Sequence, residues 1–172
     1  SRLDEFAIEG AYGQGVPETG PGAVVHVGGG TGIASLLEIG EHFRGRPQFF
    51  LLGARTSAHL FDLDKFERLG TVLAATDDGS AGHGGLVTEL IEPAARQAGE
   101  DPVFINCGPA PMVERAFEIE RRFTQPDRII GSIEYLTSCG VGICGKCATP
   151  GGALSCIDGP FLRWEEFQAR RK

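Results

Sequence analysis

The chain has 172 residues, 41% of them hydrophobic, which supports a real core and one ordinary domain, or one domain with a small appendage. A formal net charge of −7 with no long basic cluster argues against a nucleic-acid binder. No apolar run approaches the roughly 20 residues of a membrane span and no signal-peptide pattern opens the chain, so a cytoplasmic protein is expected.

Taken in chain order, the pattern alternates strand and helix. Ala23 to Val27 is a short apolar run that stops at Gly28-Gly29-Gly30-Thr31-Gly32 and predicts a buried strand. Ile33 to Phe43 carries apolar residues at helical spacing, and Phe49 to Leu52, ending at Gly53, predicts a second strand. Ser57 to Leu69 fits a helix, and Thr71 to Ala75 a third strand that ends in Thr76-Asp77-Asp78-Gly79-Ser80. Gly84 to Gln97 fits another helix, Pro102 to Asn106 a fourth strand ending at Cys107-Gly108-Pro109, and Pro111 to Phe123 the helix after it, with proline at its start. The alternation implies an α/β fold, a doubly wound parallel sheet with right-handed crossovers. From about Arg128 the pattern breaks and Gly and Cys dominate, so residues 128–172 are expected to form a small separate module.

In an open parallel sheet, ligands bind beyond the carboxyl ends of the strands. Here four strand ends carry small or polar residues. The glycine turn Gly28 to Gly32 opens a helix, where backbone amides and the helix dipole suit a pyrophosphate. It is neither a Walker A motif nor G-x-G-x-x-G, since Ile33 takes the last glycine position, and a plain tight turn explains it as well. Arg55, after Gly53, suits a phosphate or simply water. Asp77 and Asp78 suit ribose hydroxyls, or cap their turn, and one of the two is expected to be only a cap. Cys107, beside Gly108-Pro109, is expected at the crevice mouth, near the reacting ring of a cofactor, against the alternative of a small buried hydrophobe. His26 reads as a strand-packing residue, His42 and His59 as exposed on helices, and His83 as a loop residue within reach of a nucleotide.

The four clustered cysteines are the sharpest signal. Cys139, Cys144, Cys147 and Cys156 follow C-x4-C-x2-C-x8-C, close to the plant-type [2Fe–2S] arrangement. Three thiols fall within nine residues, interleaved with Gly140, Gly142 and Gly145, which let the backbone curl around an inorganic core. A zinc site usually takes two short hooks far apart; zinc and disulfide pairing stand as the alternatives. An electron carrier is the working expectation.

At this point the chain resembles the ferredoxin–NADP reductase-like flavoproteins, most of all the branch of iron–sulfur electron-transfer subunits of NAD-linked dihydroorotate dehydrogenase. The resemblance rests on Gly28 to Ala34, Leu52 to Thr56, Thr76 to Ser80, Gly85 to Thr88, Cys107-Gly108-Pro109-Ala110-Pro111-Met112, Cys139 to Cys147, and Cys156 to Pro160, in that order. It implies NAD(P)H binding through Gly28, Gly29, Gly30, Thr31, Gly32, Ile33, Gly53, Arg55, Asp77, Asp78, Gly79, Ser80, Cys107, Gly108, Pro109 and Met112. It implies a [2Fe–2S] cluster on the four cysteines and a catalytic partner subunit. Sulfhydrogenase gamma subunits and the small subunit of NADH-dependent ferredoxin–NADP oxidoreductases are similar too. The latter typically put aspartate where Cys139 stands, which favours the dihydroorotate branch. A zinc-bound regulatory nucleotide module is the non-enzymatic rival. Residues 1–20 resemble only the end of the family's flavin barrel, so residues 21–127 are expected to bind NAD(P). FAD is then expected from outside this chain, whose first residue, Ser1, suggests processing or a fragment.

Overall fold

The structure, a computed structural model, describes residues 10–133 and 136–168. Its sheet has seven strands: β1 (Val24–Gly29), β2 (Gln48–Ala54), β3 (Thr71–Thr76), β4 (His83–Gly84), β5 (Val103–Gly108), β6 (Ile129–Ile133) and β7 (Leu162–Arg163). Their order across the sheet is β4-β3-β2-β1-β5-β6-β7, parallel except for β7, which runs antiparallel to β6. The helices are α1 (Gly32–His42), α2 (Leu63–Glu67), α3 (Ile91–Ala98), α4 (Ala110–Glu120) and α5 (Trp164–Phe167).

The central strands are apolar without alternation because both faces are covered. β1 and β2 are buried at every position. Val25, Val27, Leu51 and Phe104 pack on one face with Ala94, Val113 and Phe117 from α3 and α4. Val24, Phe50, Leu52 and Ile105 pack on the other with Leu36 of α1 and Phe66 of α2. The chain reverses its winding between β1 and β5, which leaves the crevice that such folds use for ligands at those strand ends.

Two polar groups lie inside this core. His26 stacks on Phe50 with ring centroids 4.4 Å apart, and its Nε2 lies 2.9 Å from Gln48 Oε1. Because Gln48 Nε2 donates to the Gly40 carbonyl, its Oε1 accepts, so the proton of His26 sits on Nε2. Burial pushes the pKa of His26 down to about 4. Glu120, fully buried at the end of α4, accepts from Asn106 Nδ2 at 2.9 Å, and burial raises its pKa to about 8.

Three expectations are corrected. The helix predicted over residues 57–69 is a 3₁₀ turn (Ser57–His59) and the short α2, broken where Asp62 takes a left-handed φ of 55°. The helix predicted from Gly84 starts only at Ile91, because Gly85 has φ +150° and Leu86 is extended; β4 and a 3₁₀ turn (Val87–Leu90) fill the interval. The parallel pattern does not end at Arg128: Ile129–Ile133 is a fifth main strand, paired with β5 from Phe104↔Ile129 to Gly108↔Ile133. Its apolar run is short and lacks a following helix, the cue that marked the others. From residue 136 the chain runs in turns, with a bridge between Ala148 and Leu154. It then rejoins the core through β7 and α5, where Trp164 meets Phe117 edge to face at 4.2 Å.

Candidate cofactor sites

A cavity of about 780 Å³ opens at the carboxyl ends of β1, β2, β3 and β5. Its floor is Gly29, Gly30 and Thr31, where β1 passes into α1, and the positive end of the helix dipole faces it. Gly30 has φ +55°, and a Cβ built there would meet nothing within 4 Å, so it would project into open space. Gly32 is small for another reason: a Cβ there would come within 2.2 Å of the Cys107 carbonyl oxygen, so its bare backbone lets α1 start against β5.

The walls are mostly apolar, with Phe61, Leu86, Val87, Pro109, Pro111 and Met112. Two arginines, Arg55 after β2 and Arg115 on α4, line it with no ion pair among the described residues. Asp77 lines it as well. A wide apolar slot with a few convergent charges and a glycine floor suits a bulky, flat, anionic ligand.

The predicted residues divide into two groups. Gly29, Gly30, Thr31, Gly53, Arg55, Asp77, Pro109 and Met112 line the cavity. Gly28, Gly32, Ile33, Asp78, Gly79, Ser80, Cys107 and Gly108 do not. Asp78 is the turn cap of the acidic pair: its Oδ1 accepts from the Ser80 hydroxyl at 2.6 Å and amide at 3.0 Å, which hold its carboxyl below the usual range. Ser80 Oγ in turn accepts the Ser57 amide at 2.8 Å. Cys107 does not stand in the crevice. Strand alternation turns its side chain to the α1 face with Ile105, and it is 8% exposed. His83 is also outside, paired with Glu89. His59, expected to be merely exposed, lines the cavity and bonds Thr56 through Nδ1 at 2.9 Å. Arg115 was legible in principle, one helical turn beyond Pro111 and Met112. Phe61 and Leu86 were hidden by the two helices predicted over them.

The cysteines form two pairs. Cys139 Sγ accepts the Cys144 amide at 3.4 Å. That amide, with those of Val141 and Ile143 and the Cys144 thiol, pulls the Cys139 thiol down to about 6. Cys147 and Cys156 face each other, buried at 2% and 3% exposure. The Cys156 amide and thiol lower the Cys147 thiol, while Cys147 raises that of Cys156. Among the described residues no three His, Cys, Asp or Glu side chains converge as a single ion requires. Amides aimed at the Cys139 and Cys147 sulfurs suit a negatively charged thiolate-bound cluster, whose charge such amides stabilise.

Comparison with known proteins agrees with this geometry. Residues 134–168, which contain all four cysteines, match the family described as the iron–sulfur cluster binding domain of dihydroorotate dehydrogenase B. The chain is 35% identical over 98% of its length to the probable dihydroorotate dehydrogenase B (NAD(+)) electron transfer subunit of Methanocaldococcus jannaschii, of which it covers 65%. It is 34% identical over 95% of its length to that of Thermococcus kodakarensis, of which it covers 67%. Among solved structures, the NADH-dependent reduced ferredoxin–NADP oxidoreductase superposes with a TM-score of 0.78 at 34% identity, over 92% of this chain and 58% of that one. The ferredoxin reductase in carbazole 1,9a-dioxygenase shares the fold, with a TM-score of 0.52 at 20% identity. The chain thus spans about two thirds of the length of these subunits, and with that span aligned almost end to end it belongs to the family of dihydroorotate dehydrogenase B electron transfer subunits.

Proposed function

We propose that this chain carries the nicotinamide-nucleotide and cluster sites of a subunit that exchanges electrons with a dihydroorotate dehydrogenase-type catalytic partner. The observation behind this is the presence in one fold of a glycine-floored, arginine-lined cavity and a two-plus-two thiolate array. Residues 21–133 hold the nucleotide and residues 134–168 a [2Fe–2S] cluster on Cys139, Cys144, Cys147 and Cys156. FAD, as in reductases of this fold, supplies the exchange between a two-electron hydride and single electrons. The protein's own part is to seat the nucleotide and to hold four thiols in two facing pairs. The full-length subunit, mixed with such a catalytic subunit, should support NAD⁺-dependent oxidation of dihydroorotate that neither supports alone. Activity instead with sulfur compounds or ferredoxin only would favour the related gamma-type role.

Within the cavity, Gly29 to Thr31 take the pyrophosphate, and Arg55 and Arg115 offset its charge. Asp77 has no hydrogen-bond or ion-pair partner for its carboxylate among the described residues, which leaves it to accept from a ribose 2′-hydroxyl and repel a 2′-phosphate. NADH should therefore bind about tenfold or more tightly than NADPH, since a like charge brought this close costs at least ~1.4 kcal/mol. An Asp77→Ser variant should narrow the gap. In Gly30→Ala and Gly30→Val, side chains would fill the phosphate's place, and titration should show weakened binding of both nucleotides. Unchanged affinity in folded Gly30 variants would move the site elsewhere.

A further inference from the structure

Among the described residues, the segment before β1 has no part in the cavity, yet it meets the cysteine array twice. The Tyr12 ring lies against Gly140, the residue after Cys139: a Cβ on Gly140 would come within 2.4 Å of Tyr12 Cε1 and 2.6 Å of Cζ. Gly140 also has φ +68°, so glycine is required there both for the backbone and for the ring. Two residues along, the Gln14 amide donates to the Gly159 carbonyl at 2.5 Å, and its side-chain Nε2 donates to the Ile157 carbonyl at 3.4 Å. Gly13 lies against that Gly159 carbonyl so closely that a Cβ would overlap it.

One short strap therefore bears on the residue next to Cys139 and on the residues after Cys156. Those two thiols belong to different pairs. The two pairs are joined by only Gly145 and Lys146, and they also touch directly: Gly142, in the Cys139 loop, lies against Ile157, just past Cys156, and the Ser155 amide donates to the Cys147 carbonyl at 3.2 Å. We infer that Tyr12 to Gln14 form a clasp over this array, tying the Cys139 loop to the residues after Cys156 from the outside, with Tyr12 a positioning residue that covers the flank of the Cys139 loop. The inference rests on the reading of the four cysteines as cluster ligands. Tyr12 is 40% exposed and outside both core clusters, so its removal leaves the sheet intact.

The test compares the anaerobically loaded wild-type chain with Tyr12→Ala and Tyr12→Phe. Two readouts serve: the decay of visible absorption in air and the electron paramagnetic resonance spectrum after dithionite reduction. Tyr12→Ala should bleach about tenfold faster, the low end of what lost outer-shell support costs a metal site, with altered g-values. Tyr12→Phe, which keeps the ring on Gly140, should stay near the wild type. Equal lifetimes and spectra for Tyr12→Ala and the wild type would overturn the clasp and leave the cluster assignment standing. A wild-type chain that takes up no iron would overturn the cluster assignment, and the clasp with it.

Discussion

Replacing Cys144 with serine should remove most of the visible absorption and most of the roughly two irons per chain that a [2Fe–2S] centre contains. Cys144 is the partner of Cys139 in the more exposed of the two thiol pairs, and its amide is the one that reaches Cys139 Sγ. Thiolates are the ligands such a cluster needs, and a serine hydroxyl ionises far less readily than a thiol. The loss should be local, because Cys144 is solvent-exposed and takes no part in either hydrophobic core. Cys107→Ser is the control: that thiol sits on the α1 face of β5, and its replacement should leave the iron content unchanged. Full retention of iron and colour in Cys144→Ser would remove it from the ligand set. A colourless wild type with stoichiometric zinc would overturn the iron reading altogether.

The sheet was legible because its strands are buried on both faces and so read as unbroken apolar runs, as in Phe49 to Leu52. The glycine turn was legible for a related reason: strand, glycines and helical spacing follow one another without a gap. The cysteine array was the most legible of all, since its spacing is a local property of the chain. What stayed hidden depends on tertiary placement. Whether Asp77 or Asp78 faces the crevice turns on which one Ser80 captures, and nothing in the order Asp-Asp-Gly-Ser decides that. Cys107 was assigned by its place at a strand end, but the pleat points it to the other face. The irregular stretch around Phe61 and Leu86 was read as helix because its apolar residues happen to recur near helical spacing. The positive φ of Asp62 and Gly85 that breaks it is a backbone property the spacing does not report. Tyr12 was invisible as a partner of Gly140, since nothing local joins residues so far apart in the chain.

In a chain with Cys139, Cys144, Cys147 and Cys156 changed to serine, which removes the titration of those thiols, stability should be flat between about pH 4.5 and 6.5 and fall on both sides. In that chain the buried His26 and Glu120 pull in opposite directions. His26 has a folded pKa of about 4 against 6.5 in the open chain, so between those values the unfolded state binds more protons and stability rises with pH. Its contribution is complete above 6.5 and is lost as pH falls towards 4. Glu120 has a folded pKa of about 8 against 4.5, so the native state binds more protons in that window and stability falls as pH rises. Its contribution is complete below 4.5 and is lost by about 8. Where the windows overlap the slopes cancel; from 6.5 to 8 only the Glu120 slope remains, worth about 2 kcal/mol over that interval. Urea unfolding at several pH values should show this loss. In Glu120→Gln, whose neutral side chain still accepts from Asn106, the alkaline limb should disappear and the acid limb should lengthen, with stability rising from about pH 4 to 6.5. In His26→Phe, which keeps the stack on Phe50 but leaves Gln48 Oε1 unpaired, the protein should be less stable near neutral pH, with no acid limb and a fall that begins at about pH 4.5 instead of 6.5. A four-serine parent chain that gains stability from pH 6.5 to 8, or a Glu120→Gln variant of it with the same alkaline slope, would show that Glu120 is ionised in the native core.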